Sequence, residues 1–219
     1  MNKQALYASI AMLPVLAYAP LTGAQPEQSS QPKQILPQKH DNPLKIGDTM
    51  PRFTIADPTG GQHDLAKLLE QGPVVLTFYR GSWCPYCATE LGNLQERLDQ
   101  INQTGATVLA ISPEKPRNTE AMARQKDYGF HFGTDRDNTL AKRLALAFTL
   151  DSETIEKYKQ YGINLPESND IDTWELPIPA TYVIDTNGTI KYAFVDEDYS
   201  KRADYDQVVM TLRKLAMDD

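Results

Sequence analysis

An α/β fold, with a mixed central β-sheet flanked by helices on both faces, is predicted by three observations. Val74–Tyr79 and Thr107–Ser112 are largely apolar runs of strand length, the pattern of strands buried on both faces. A helical pattern lies between them, so the two strands run parallel with a right-handed crossover. Near the C-terminus, Thr181–Asp185 and Thr189–Phe194 flank Thr186-Asn187-Gly188 and read as a hairpin, which brings antiparallel strands to the same sheet.

The chain has 219 residues, 41% of them hydrophobic, which suits one domain with an extension. Residues 1–24 read as a secretory signal peptide: Lys3 supplies the positive start, Ala5–Leu21 the apolar stretch and Thr22-Gly23-Ala24 the small-residue cleavage site. Pro14 and Pro20 interrupt that stretch and argue against a spanning anchor, which needs about 20 predominantly apolar residues. Residues 25–43 are rich in Gln, Pro and Ser and read as a linker, leaving 44–219 as the folded domain. The expected location is outside the cytoplasm, periplasmic in a Gram-negative source and secreted otherwise. After cleavage no segment is apolar enough to span a membrane.

Within the domain, Phe53–Ala56 is a short strand, Pro58-Thr59-Gly60-Gly61 a turn and Asp64–Leu69 a short helix. After the run at 74–79, Leu91, Leu94, Leu98 and Ile101 recur at three and four residues and fix one apolar helical face, which Gly105 ends. A polar helix over 118–128 follows the second run and stops at Gly129, and Phe130-His131-Phe132 adds an edge strand. Residues 138–148 and 152–161 read as helices with a break near Thr149, and 164–179 as an irregular polar segment. The chain closes on a helix with the apolar stripe Tyr205, Val208, Val209, Leu212 and Leu215.

A formal charge of −7 with no basic cluster argues against nucleic acid as a partner. The two cysteines lie three residues apart in Trp83-Cys84-Pro85-Tyr86-Cys87, where a buried strand gives way to a helix. Pro85 suits the first helical position because it has no N–H to leave unpaired. Cys84 then faces free N–H groups and the positive end of the helix dipole, a placement that lowers a thiol pKa to about 3.5–7.5. Cys87 lies one turn on and serves as resolving thiol after Cys84 attacks sulfur or peroxide oxygen, a cycle that needs no cofactor. An inert disulfide would close too short a loop to remove much chain entropy. A metal site using both thiols and His131 lacks a fourth ligand, so no metal is expected.

Over about 44–215 the chain resembles the peroxiredoxin-like branch of the alkyl hydroperoxide reductase and thiol-specific antioxidant family, within the thioredoxin-fold superfamily. The resemblance is carried by Phe78-Tyr79-Arg80-Gly81-Ser82-Trp83-Cys84-Pro85-Tyr86-Cys87, by Trp174-Glu175-Leu176-Pro177-Ile178-Pro179-Ala180-Thr181-Tyr182-Val183-Ile184-Asp185, and by Tyr192-Ala193-Phe194-Val195-Asp196. It implies a thioredoxin-like fold and a redox-active dithiol. Two departures stand out: Gly81 occupies the place of the family's threonine three residues before the attacking cysteine, and Pro179 that of its arginine. Ile178-Pro179 resembles instead the cis-proline of thioredoxins, which implies a cis bond beside the cysteine loop; a trans proline at the strand edge is the alternative. Arg80 and Arg202, the latter matching a secondary arginine of many peroxiredoxins, are the candidates to stabilise the Cys84 thiolate. Trp83, Pro85 and Tyr86, with Ile178 and Pro179, make up the candidate substrate-binding set.

The expected function is antioxidant reduction of peroxides through a Cys84/Cys87 dithiol–disulfide cycle, recharged by an external thiol reductant such as a thioredoxin-like protein. The alternative is a thiol-disulfide oxidoreductase acting on protein or small-molecule disulfides, favoured by the Cys-x-x-Cys spacing and the two departures. A non-enzymatic redox sensor or metal chaperone of the same fold is a third reading.

Overall fold

A computed structural model describes residues 42–218. The signal peptide expected over 1–24 and the linker up to residue 41 lie outside the described residues. The elements are β1 (Thr54–Ala56), β2 (Gln62–Asp64), α1 (Leu65–Leu69), β3 (Val74–Phe78), α2 (Pro85–Asn102), β4 (Thr107–Ser112), α3 (Pro116–Lys126) and β5 (His131–Thr134). They continue with α4 (Thr139–Arg143), β6 (Ala147–Thr149), α5 (Ser152–Gln160), α6 (Leu165–Asn169), β7 (Glu175–Pro177), β8 (Ala180–Ile184), β9 (Ile190–Val195) and α7 (Tyr205–Asp218).

Seven strands form one mixed sheet in the order β2-β1-β5-β4-β3-β8-β9. β3 pairs in parallel with β4, from Val74↔Thr107 to Phe78↔Ile111, and antiparallel with β8, from Val74↔Ile184 to Phe78↔Ala180. All five of its residues are buried, which is why its sequence shows no alternation. The pleat still sorts them. Val74, Leu76 and Phe78 join a core with Leu65, Leu140, Tyr158 and Leu165 from the short helices. Val75 and Tyr79 join the opposite core, built with Leu91, Leu94, Leu98 and Ile101 of α2 and Val208, Val209 and Leu212 of α7. The mixed sheet with helices on both faces is thus as expected.

Three local expectations change. β5 is interior, paired in parallel with β4 and bridged to β1 at Ala56↔Thr134, so Phe130-His131-Phe132 is no edge. The helix expected over 138–148 stops at Arg143, and Ala145 takes a positive φ of 57°. Beyond it Leu144, Leu146, Phe148 and Leu150 alternate and are all buried, a two-residue period that makes β6. β6 pairs antiparallel with β7, a strand inside the segment read as irregular. Finally, there is no cis peptide among the described residues, so the cis Ile178-Pro179 bond is corrected to trans. Pro179 sits where β8 begins, a position that needs no ladder N–H, and its carbonyl accepts from Asp196 N–H at 3.5 Å. No helix among the described residues is long and apolar enough to cross a membrane.

Candidate active site

The site grows from the end of β3. Tyr79 extends the ladder, its N–H donating to the Ile111 carbonyl at 2.9 Å, and the chain then turns through Arg80–Trp83 into α2. Gly81 makes the turn at φ 150°, where a Cβ would lie 2.4 Å from Trp83 Nε1. That contact explains why a threonine has no place there. Cys84 is the N-cap residue of α2, with extended backbone, and Pro85 opens the helix. Its Sγ accepts the Cys87 N–H at 3.4 Å, taking up one of the free donors of the first turn.

Arg80 faces this sulfur. Its Nη2 donates to Cys84 Sγ at 2.9 Å, its Nη1 to Tyr158 Oη at 3.0 Å, and its backbone N–H to Cys87 Sγ at 3.4 Å. The guanidinium is wholly buried, with its carbon 4.1 Å from the Tyr199 ring centroid and 5.4 Å from that of Trp83. Burial works against its charge, and Cys84, Tyr158 and Cys87 together outweigh burial and hold the guanidinium protonated. Both cysteines are free and fully buried. The Cys84 thiol is pulled down to about 5, first by its hydrogen bond with the Cys87 thiol and then, against burial, by the Arg80 charge and the Cys87 N–H. Burial and the neighbouring Cys84 push Cys87 the other way. At neutral pH the pair therefore holds one thiolate and one thiol.

Arg202 lies on the second sulfur. Its Nη2 approaches Cys87 Sγ at 3.7 Å, its Nε pairs with Glu90 Oε2 at 2.8 Å, and its Nη1 donates to the Tyr199 carbonyl. Glu90 is 1% exposed and accepts from Tyr205 Oη at 3.3 Å. Burial pushes its carboxyl up to about 8 against the pull of Arg202.

Trp83, Pro85 and Tyr86 thus surround the cysteine loop, with Trp83 edge-on to Tyr158 and Tyr86 edge-on to Tyr199. Ile178 and Pro179 serve strand packing: Ile178 is buried and its N–H donates to the Leu146 carbonyl at 2.6 Å. Sequence reasoning missed Glu114, Tyr158 and Tyr199. Glu114, buried just after β4, accepts Ser82 N–H at 2.7 Å, Ser82 Oγ at 2.8 Å and Ser168 Oγ at 3.0 Å, so it ties down the turn before Cys84. Its place after the C-terminal end of a parallel strand was the available signal, because sites of open α/β sheets gather there. Tyr158 and Tyr199 come from distant segments that carry no motif. Among the described residues no group of three or more His, Cys, Asp or Glu could hold a metal ion.

Residues 46–193 match the AhpC/TSA family. Peroxiredoxin Bcp of Escherichia coli is 26% identical over 175 residues, 80% of this chain and 99% of that protein. The thiol-disulfide oxidoreductase ResA of Geobacillus thermodenitrificans is 26% identical over 149 residues, 68% of each chain. Among solved structures, peroxidoxin BcpB of Mycobacterium tuberculosis superimposes with a TM-score of 0.63 at 24% identity, covering 78% of this chain and 97% of that one. These findings overturn the exported location. The Escherichia coli and Mycobacterium tuberculosis relatives are peroxiredoxins matched over 99% and 98% of their own length, and they lend the exported location no support.

Proposed function

Because the chain belongs to the AhpC/TSA family and is a thiol-dependent peroxidase, we propose that Cys84 is its attacking sulfur and Cys87 its resolving sulfur. The observation that carries these roles is the buried hydrogen bond from Arg80 Nη2 to Cys84 Sγ, 2.9 Å long, at the N-terminus of α2. It supports a thiolate at neutral pH on Cys84 and not on Cys87. Cys84 S⁻ attacks the peroxide oxygen: an S–O bond forms, the O–O bond breaks, and the departing oxygen takes a proton and leaves as water or an alcohol. Arg80 stands in from the strand end for the family arginine whose usual place is Pro179, and its charge also meets the developing negative oxygen. Cys87 then forms the S–S bond as the S–O bond breaks, and its proton leaves with the oxygen as water. An external dithiol, from a thioredoxin-like protein, returns the pair to its reduced state. Trp83, Pro85 and Tyr86 form the walls that a peroxide or reductant meets.

A second reading, exchange with disulfides, is favoured by the closeness of the two sulfurs in one helical turn and by the similarity to ResA. One comparison separates them. The fully reduced protein is mixed with stoichiometric hydrogen peroxide or a model disulfide, and the rate of disulfide formation is followed in the parent, Cys84→Ser and Cys87→Ser. Peroxide should react far faster than with a free small thiol, and Cys84→Ser should abolish the reaction. Activity surviving in Cys84→Ser would overturn the assignment of the two sulfurs.

A further inference from the structure

We propose that the two arginines divide the two sulfurs between them, with Arg202 the catalytic residue of the resolving step that draws Cys87 into its anionic, attacking form. The inference rests on the peroxidase roles above and adds a residue that acts after the peroxide has gone. Its basis is placement. Arg80 Nη2 meets Cys84 Sγ at 2.9 Å, whereas Arg202 reaches Cys87 Sγ at 3.7 Å, and α2 carries both sulfurs in its first turn. Arg202 is aimed by two anchors from different segments: the Glu90 carboxyl group on α2 lies 2.8 Å from Nε, and the Tyr199 carbonyl accepts from Nη1. A guanidinium held at two points and presenting a third donor to a buried sulfur is a built contact, not a solvated surface charge.

The groups that face Cys87 explain the timing. In the reduced protein burial first, and then the Cys84 sulfur, hold the Cys87 proton on, while the charges of Arg80 and Arg202 pull against them. Tyr79 and Glu90 also face it, and both feel its charge unfavourably. When peroxide converts Cys84 S⁻ to the neutral sulfenic acid, the nearest negative charge disappears and the two cations remain. Cys87 then loses its proton readily, and its sulfur attacks Cys84 sulfur: the S–S bond forms, the S–O bond breaks and the proton leaves in water. The site fires in order because the first reaction removes the part of the restraint on the second thiol that came from charge, leaving burial opposed by two cations.

The test uses the full chain as Arg202→Met and Arg202→Lys. Stopped-flow tryptophan fluorescence resolves sulfenic acid formation from disulfide formation, and a sulfenic-acid trap reports the intermediate. In Arg202→Met the rate of disulfide formation should fall about tenfold more than the rate of reaction with peroxide, the effect of about one pKa unit on the resolving thiol. Arg202→Lys should recover part of the loss. A second measurement needs no peroxide: in Cys84→Ser, adding Arg202→Met should raise the midpoint at which Cys87 titrates. Equal loss in both kinetic phases, or an unmoved Cys87 midpoint in the folded double variant, would overturn the proposal. Absence of the peroxide phase in the parent protein would instead strike the peroxidase roles, leaving the titration to judge Arg202.

Discussion

On the proposed roles, reactivity depends on the pair formed by Arg80 and Cys84, whose strength comes from where both atoms sit. A guanidinium that is wholly buried has no water to screen it, so its 2.9 Å contact with Cys84 Sγ acts at close to full value. Arg80→Met should move the Cys84 midpoint from about 5 toward that of an ordinary thiol. The thiolate fraction at neutral pH, and with it the peroxide rate, falls about tenfold once that midpoint reaches about 8. Cys87→Ala deletes the hydrogen bond that contributes most to that lowering, and should shift the midpoint in the same direction. Ultraviolet thiolate absorbance against pH measures both. In the parent protein the reacting form is the deprotonated one, so the peroxide rate should climb as pH rises through about 5 and level off above it. A rate still climbing steeply near the ordinary thiol value would contradict this picture.

The turn from β3 into α2 is the element that holds the sulfur in place, and its integrity depends on two residues off the helix. Glu114→Ala removes the acceptor for Ser82 N–H, Ser82 Oγ and Ser168 Oγ, a loss of about 2–4 kcal/mol for a buried polar hub. Denaturant melts read the stability, and the peroxide rate should drop with it because the turn is no longer pinned. Gly81→Ala should cost about 1–3 kcal/mol through φ 150° and the 2.4 Å approach to Trp83 Nε1, and a change in Trp83 fluorescence would report the displaced ring. These same elements show what could be read in advance. β3, β4 and the Leu91, Leu94, Leu98 and Ile101 face of α2 were legible because burial on both sheet faces, or on one helix face, writes its period directly into the sequence. Leu144, Leu146, Phe148 and Leu150 carried a strand period as plainly, but the helix formers between them masked it. The closeness of Cys84 and Cys87 was legible because three residues at a helix start fix it locally. Tyr158 and Glu114 were not, since each meets the site only through a chain reversal of tens of residues.

Across the whole molecule, two buried acids should set how stability responds to pH, and they oppose each other. Cys84 has a folded value of about 5, below the ordinary 9.0, so its contribution is present in full above pH 9.0 and is lost as pH falls through 5. Glu90 has a folded value of about 8, above the ordinary 4.5, so its contribution is present in full below pH 4.5 and is lost as pH rises through 8. Between about pH 5 and 8 the two slopes, each at most about 1.4 kcal/mol per pH unit, cancel. Glu90→Gln should unmask a stability that rises with pH across that window, and Cys84→Ser one that falls. Chemical denaturation at both ends of the window tests the pair, and parallel profiles in the two variants would refute the account. The Cys87 N–H already rests on Cys84 Sγ within a single helical turn. On the proposed roles, the bond that oxidation forms joins two side chains held at the start of one helix. Both sulfurs are wholly buried, so in the proposed cycle a partner that restores the thiols would have to reach the bond between them through an opening of the loop that covers it.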